Sequence, residues 1–358
     1  MKVGIITFHN GSNYGAALQA FALQEAEKEI GNEVYIINYN NRFISKGLDK
    51  IRFDFSLLGI YSLFSDLINY HSNEKKIANF QKFFNDFYNL TPLMSYADLK
   101  KNKDHYDIGI SGSDQIWNPL LNRKVDDIYF LNFGSFSHKI SYASSFGNYK
   151  FDNDCINQHF LYLLKEFDKI STREKSLELE TVISRKVYNV IDPTLLLSKK
   201  QWVNKLRIKN STNEKYLLTY IMTNEKEVMN IAKCKASEYD LKIWNIGKLN
   251  GFYSGVRCIC DAGPKEFVEL FYNADYIVTN SFHGTAFSIN FSKQFLSVVH
   301  PKSPERAKHI LKMTGLESRL VSIDDFSSVN TISNEKFKQV SIILDEIRND
   351  SFKYLCNL

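Results

Sequence analysis

Asp275-Tyr-Ile-Val-Thr-Asn-Ser-Phe-His-Gly-Thr-Ala-Phe-Ser-Ile-Asn-Phe291 changes its period halfway along. Tyr276 to Thr279 is an apolar, β-branched run, the pattern of a buried strand. Asn280-Ser281 and Phe282-His283-Gly284-Thr285 follow as a small and polar turn that carries a histidine. Beyond Thr285, Ala286, Phe287, Ile289 and Phe291 take up the spacing of a packed helix. The segment therefore reads strand, sharp turn, helix. A helix N-terminus at that point offers N–H groups and a positive dipole end, which together attract an anion. Gly284 allows close backbone approach, Ser281 and Thr285 add hydroxyl donors, and His283 is placed to act as an acid or as a charge on the bound group. A structural histidine satisfied within its own turn fits the same residues, so the rest of the chain has to decide.

The alternation continues on both sides of this stretch. Tyr216 to Met222, Leu241 to Ile246 and Phe295 to Val299 read as strands, with helices over Glu225 to Tyr239 and Gly263 to Asn273. Further helices are expected over Glu305 to Thr314 and Asn334 to Phe352. Near the start, Val3 to Phe8 is a strand and His9 to Gly15 a loop of turn formers. Ala16 to Ile30 is a helix with Ala17, Leu18, Phe21, Ala22 and Ala26 on one face, capped by Ser12 or Asn13. Glu33 to Asn38, with Val34-Tyr-Ile-Ile37 at its centre, is the next strand. This β-loop-α-β opening is that of a parallel, doubly wound sheet. The loop lacks the G-x-G-x-x-G fingerprint, so a dinucleotide site is not supported.

Three further strands end in polar loops. Asp107 to Ile110 leads into Ser111-Gly-Ser-Asp-Gln-Ile-Trp-Asn-Pro119, where Gly112 permits a tight turn, Asp114 presents a carboxylate and Trp117 a flat face suited to a sugar ring. An Asp cap beside a buried Trp is the other reading. Lys139 to Gly147 ends in small hydroxyl residues, Lys169 to Glu174 places Arg173 at its end, and Val190 to Leu196 closes this half. Such placement would collect the polar residues at one edge of a sheet. The expected fold class is α/β, two Rossmann-like domains facing across a cleft: residues 1–197, residues 198–333, and a helix over 334–358 returning to the N-terminal domain. Residues 42–90 read as a helical insertion. Within it, Leu57 to Ile68 is apolar and flanked by Lys46, Lys50, Arg52, Lys75 and Lys76. It fits a peripheral membrane element, and fits somewhat better helices packed on the sheet or on a partner subunit.

A chain of 358 residues is long enough for two cores. The net charge of +5 comes without a concentrated basic arm. It argues weakly for an anionic ligand or membrane surface and not for nucleic acid. Five scattered cysteines do not make a disulfide framework, and Cys258-Ile-Cys260 lacks the spacing and second pair of a zinc knuckle, so no metal site is expected. Met1 leads directly into a strand and no apolar run spans a bilayer, so a cytoplasmic protein is expected.

The motifs, taken together, resemble the polysaccharide pyruvyl transferase family. Thr7-Phe-His-Asn with Asn13-Tyr-Gly15, Gly112-Ser-Asp-Gln-Ile-Trp-Asn118, Ser141-Tyr-Ala-Ser-Ser-Phe-Gly147, Ser171-Thr-Arg-Glu174, Asp192-Pro-Thr194 and Asn280-Ser-Phe-His-Gly284 recur in that order, roughly from Met1 to Arg319. The resemblance implies a GT-B-like fold. It also implies transfer of a pyruvyl group from phosphoenolpyruvate, as the donor substrate and without a cofactor, to a sugar of a bacterial capsule, exopolysaccharide or wall polymer. The acceptor is often lipid-linked, and the product is usually a cyclic ketal.

Such a donor carries a phosphate and a carboxylate and needs fixed positive charge and N–H donors. Protonation of its methylene carbon needs a positioned acid, and the attacking hydroxyl is helped by a base. On this basis His283 is assigned as general acid or phosphate partner and Asp114 as base. Arg173, Ser281, Gly284 and Thr285 are assigned to the donor, and Asn13, Tyr14 and Trp117 to the acceptor. Some branches of the family carry Arg-Leu-His where this chain has Ser281-Phe-His283, and Arg306 either supplies the missing charge or lies on a surface helix. Two other functions fit the same architecture: a nucleotide-sugar-dependent glycosyltransferase, and a non-catalytic carbohydrate-binding component of polymer assembly. A nucleotide site would add an acidic residue for the ribose, and no clear one stands at the expected place.

Overall fold

The computed structural model describes residues 1–41, 70–122, 124–151, 153–173, 177–210, 212–300 and 304–357. The described chain divides into two compact units. One lies within Met1–Leu63, Lys82–Leu196 and Ile347–Leu358, the other within Phe64–Gln81 and Leu197–Glu346. The apolar segment Leu57 to Ile68 falls outside the described residues.

The first unit is built on four strands, β1 (Lys2–Ile6), β2 (Glu33–Ile36), β3 (His105–Ser111) and β4 (Ser135–Ser141), in the order β2-β1-β3-β4. All are parallel, with Val3 opposite both Val34 and Ile108, and Ile110 opposite Ile140. Helix α1 (Tyr14–Glu29) connects β1 to β2. It is rich in alanine and buried on nearly every side, so it lies inside the unit rather than on its surface. Phe21 meets Phe83 and Phe87 at ring distances of 5.7 and 5.8 Å; both belong to helix α2 (Tyr70–Phe87). A second core gathers Trp117, Phe130, Phe146 and Phe160. Past β4 the small pair β5 (Ser171–Thr172) and β6 (Tyr188–Asn189) continues the parallel direction, followed by the short helix α3 (Pro193–Leu196).

The second unit holds a six-stranded parallel sheet: β7 (Tyr216–Tyr220), β8 (Lys242–Ile246), β9 (Val256–Ile259), β10 (Tyr276–Thr279), β11 (Gln294–Val298) and β12 (Leu320–Val321), in the order β12-β11-β10-β7-β8-β9. Tyr276 pairs with Leu217 on one side and Gln294 on the other. β10 is therefore covered by strands on both edges, which explains its unbroken apolar run. Helices α4 (Glu225–Glu238), α5 (Pro264–Asn273), α6 (Phe282–Asn290) and α7 (Pro304–Met313) provide the crossovers, and α8 (Asn334–Cys356) ends the chain. The last turns of α8 belong to the first unit, where Arg348 Nε donates to Leu195 O at 2.7 Å and Tyr354 Oη to Ser141 O at 2.8 Å.

Sequence reading and structure differ most where strands are short. β9 and β12 carry no clear alternation, and β5 holds only two residues. α6 begins at Phe282, three residues earlier than the apolar spacing suggests. Among the described residues no helix is long and apolar enough to cross a membrane.

Candidate active site

In the second unit β10 stops at Thr279 and α6 starts three residues later, with Ser281 as its N-cap. Ser281 is extended (φ −91°, ψ 136°), and its hydroxyl accepts from Gly284 N at 3.4 Å, a long contact for a cap. The backbone of Thr285 donates to Ser281 O at 3.0 Å, which closes the first helical turn. His283 thus stands inside that turn rather than ahead of it. It is half-buried, with its ring edge-on to that of Phe282 at 5.2 Å.

Below this turn lies Thr279. Its hydroxyl donates to Tyr220 O at 2.6 Å and accepts from Ser281 N at 3.1 Å. A Cβ on Gly284 would lie 2.4 Å from that same oxygen. The missing side chain therefore makes room for Thr279, not for a ligand as the sequence suggests. Thr285 is also corrected: it is fully buried, donating to Ser281 O at 3.1 Å and sharing a 2.8 Å hydrogen bond with Ser297 Oγ. Ser281, at 5% exposed, spends its hydroxyl on the cap. These three residues, expected to touch the donor, form the frame that sets His283. Asn280 extends the frame sideways, accepting from Met222 N at 2.7 Å and donating to Thr223 O.

Arg306 meets this turn. It lies on α7, half-buried, with its guanidinium carbon 5.2 Å from the centre of the Phe282 ring. A cation over an aromatic face is favourable by roughly 0.5–2 kcal/mol. Arg306 is thus placed against the residue preceding His283.

The remaining assigned residues belong to the first unit, at the carboxyl ends of its strands. Asn13 caps α1, its side-chain oxygen accepting from Gly15 N at 2.9 Å and Ala16 N at 3.3 Å, and the residue is exposed. Tyr14, next to it, is 4% exposed. Asp114 adopts φ 74°, in the left-handed region that Asp tolerates better than most residues, and its carboxylate accepts from Gln115 N at 2.8 Å. The turn before it requires glycine, since Gly112 has φ 135° and a Cβ there would lie 2.1 Å from Tyr142 O. Asp114 bridges to Ser144, and Ser144 to Thr172, so Asp114 and the segment bearing Arg173 lie along one edge.

Trp117 and Arg173 are corrections. Trp117 is 1% exposed, stacked on Phe130 at 5.2 Å, with its indole N–H donating to Ser111 Oγ and Tyr129 O. Its face is spent on the core and not on a sugar. Arg173 donates to Asp192 Oδ2 at 3.0 Å in a pair whose side chains are 5% and 0% exposed. The other oxygen of Asp192 accepts from the backbone and hydroxyl of Thr194, at 3.0 and 2.7 Å, at the start of α3. A buried pair of this kind fixes local geometry. It ties β5 to α3 and does not present Arg173 at an open surface.

The polar strand ends do collect at one edge, but they bond largely with one another. Ser141 and Ser171 exchange hydrogen bonds at 2.7–2.9 Å, and Ser144 Oγ donates to Ser111 O at 2.8 Å. Sequence reasoning passed over Gln19, which is fully buried. Its amide donates to Thr7 Oγ1 and Phe8 O, and its oxygen accepts from Ser113 N, joining the loops after β1 and β3. A glutamine on an otherwise apolar helix was the available signal. His9 is similar: 2% exposed, with Nδ1 at 3.0 Å from Thr7 O and Nε2 at 3.1 Å from Asn38 Oδ1. Burial pushes its pKa down, against the hydrogen bonds to Thr7 and Asn38, which favour the charged ring.

Two parallel α/β units of Rossmann type, with their polar loops beyond the carboxyl ends of the strands, define a GT-B-like protein. The chain belongs to the polysaccharide pyruvyl transferase family, whose model matches residues 13–302. Among solved structures it is similar to S. aureus MnaA with UDP, at 13% identity and a TM-score of 0.50, covering 100% of this chain and 97% of that one. It is also similar to UDP-GlcNAc 2-epimerase from Methanocaldococcus jannaschii, at 12% identity and a TM-score of 0.45, covering 98% and 94%. For E. coli heptosyltransferase WaaC with ADP the identity is 11% and the TM-score 0.41, covering 97% and 100%. No curated protein matches the sequence.

Proposed function

We propose that this protein transfers a pyruvyl group from phosphoenolpyruvate to a sugar of a bacterial surface or wall polymer precursor, forming a cyclic ketal. The observation that carries this reading beyond family membership is the arrangement at α6. A histidine stands in the first helical turn, and the Arg306 guanidinium lies over the neighbouring Phe282 ring. A helix start and a guanidinium together suit a doubly anionic donor.

In this mechanism Arg306 and the α6 N-terminus hold the phosphate or carboxylate of phosphoenolpyruvate. His283, protonated, gives its proton to the methylene carbon, and the positive charge that develops at C2 is shared with the enol oxygen. A sugar hydroxyl attacks C2 and loses its proton to a base, for which Asp114 is the proposed group. The bond from C2 to the phosphate oxygen then breaks, phosphate leaves with its electron pair, and a second hydroxyl of the sugar closes the ketal on C2 as its proton passes to the departing phosphate. Asn13 contributes to the acceptor side. Arg173 acts through Asp192 as a positioning residue. The acceptor is a free or lipid-linked saccharide met at the cytoplasmic side of the membrane.

The nucleotide-sugar alternative is separated by thermal protection, since a ligand that binds the folded state raises its melting temperature by mass action. Phosphoenolpyruvate is expected to raise the melting temperature, and UDP-, GDP- and CMP-sugars to leave it unchanged. Protection by a nucleotide sugar alone would sink the pyruvyl reading.

A further inference from the structure

Asp114 and the buried Trp117 are pinned to one residue, Ser145: its N–H donates to Asp114 O at 2.9 Å, and its carbonyl accepts from Trp117 N at 3.3 Å. Between these two anchors lies Gln115, half-buried like Asp114. Gln115 and Asn118 belong to the same motif as Asp114 and have no part in the chemistry above.

An amide side chain carries an oxygen on one side and an NH2 on the other, and its partners tell which is which. Here a backbone group decides. Leu120 N–H can only donate, and it lies 3.0 Å from Asn118 Oδ1. The other end of the Asn118 amide is therefore its NH2, which donates to Gln115 Oε1 at 2.9 Å. Asn118 is 4% exposed, so this bond is made inside the protein. Gly147 closes on the same pair: a Cβ there would lie 2.1 Å from Gln115 Oε1 and 2.7 Å from Asn118 Nδ2. The closing glycine of Ser141–Gly147 thus leaves the space that the amides of Gly112–Asn118 fill.

With its oxygen committed to Asn118, Gln115 is left with its NH2, which has no partner among the described residues. Asp114, next to it, uses one carboxylate oxygen on Gln115 N at 2.8 Å and keeps the other. Holding a half-buried amide in one orientation costs side-chain entropy. A glutamine whose NH2 met only water would gain nothing from it.

We infer that Gln115 selects the acceptor: its NH2 donates to the oxygen of one sugar hydroxyl, and Asp114 beside it receives the proton of another. A cyclic ketal joins C2 to two oxygens of one sugar, so the acceptor presents a pair of hydroxyls. A fixed donor next to a carboxylate matches such a pair, whereas the opposite amide orientation would set two acceptors side by side. The inference rests on the pyruvyl-transfer reading for Asp114 as base and for a diol as acceptor.

Titration calorimetry with aryl hexosides, each with its monodeoxy and deoxyfluoro analogues, tests this without turnover. Fluorine accepts weakly and cannot donate. Wild type is expected to bind at least one hexoside and to bind one of its deoxy analogues about tenfold more weakly, the worth of one neutral hydrogen bond. The matching deoxyfluoro sugar should fall between the two. Gln115→Met removes the NH2 and is expected to bind all three within twofold of one another. Gln115→Glu keeps the oxygen that meets Asn118, so it should melt with wild type, and it puts an acceptor where the donor was. It is expected to bind the deoxy sugar more tightly than the deoxyfluoro one. A deoxy penalty above twofold in Gln115→Met overturns the assignment. So does a deoxyfluoro sugar bound as well as the deoxy one, or better, by Gln115→Glu, and so does the absence of any hexoside binding by wild type. Calorimetry needs no phosphoenolpyruvate. The expected binding pattern without any pyruvyl gain therefore counts against the pyruvyl reading alone, and turnover with equal hexoside KM in wild type and Gln115→Met counts against Gln115 alone.

Discussion

At Gly284 one absent methyl group decides whether α6 can sit on β10. The strand contributes Thr279, whose hydroxyl bonds to both Tyr220 O and Ser281 N, and the space it needs is the space a Cβ would take. Gly284→Ala is expected to destabilise the second unit by about 2 kcal/mol through overpacking, with part of the loss recovered in Gly284→Ala with Thr279→Ala. Denaturant unfolding of the single and double variants checks this; additive losses would contradict the proposed contact. The sequence made the glycine visible but not its partner. A glycine at a helix start between a strand and a helix speaks equally for a ligand or for a packed side chain beneath, and Thr279, five residues earlier in the chain, gives no local sign of reaching it. Trp117 and Arg173 failed for the same reason. Residue type showed a flat face and a charge, while the stack on Phe130 and the pair with Asp192 depend on segments 13 and 19 residues away.

Among the elements, strong periodicity was easily read and short pairing was not. α1, α4, α5 and β10 lie within a few residues of their expected limits, because each carries an apolar pattern several residues long. β9 and β12 hold four and two residues, and their pairing comes from the neighbours β8 and β11 rather than from their own pattern. The start of α6 was missed by three residues because Ser281 caps it while the apolar spacing begins only after Thr285. That shift has a functional consequence: His283 lies in the first turn, and α7 brings Arg306 to the ring next to it. If these two helices together hold the donor, Arg306→Ala should raise the KM of phosphoenolpyruvate about tenfold or more, with partial recovery in Arg306→Lys, which keeps charge but not the planar fork. Steady-state kinetics, with unfolding as a check on stability, measure it. An unchanged KM for the donor would remove Arg306 from the site.

At the scale of the whole molecule, the alternation of strands and helices made two parallel α/β units legible, and the ordered motifs made the family legible. Family membership and fold place the chain among pyruvyl transferases of GT-B-like architecture. What residue spacing could not show was how the polar edges are used, because hydroxyls that face a ligand and hydroxyls that stitch strand ends look alike in sequence. Ser111, Ser141, Ser144 and Ser171 stitch. His283 and Arg306 remain as the pair on which the donor reading stands. The direct test is incubation of the full chain with phosphoenolpyruvate and a panel of aryl and lipid-linked glycosides, following phosphate release and the mass of the glycoside. One phosphate is expected to be released for each pyruvyl group gained by an accepted glycoside, with both lost in folded His283→Ala. Pyruvylated product formed at the wild-type rate by His283→Ala, or no pyruvyl gain with any glycoside while a nucleotide sugar is consumed, would contradict it.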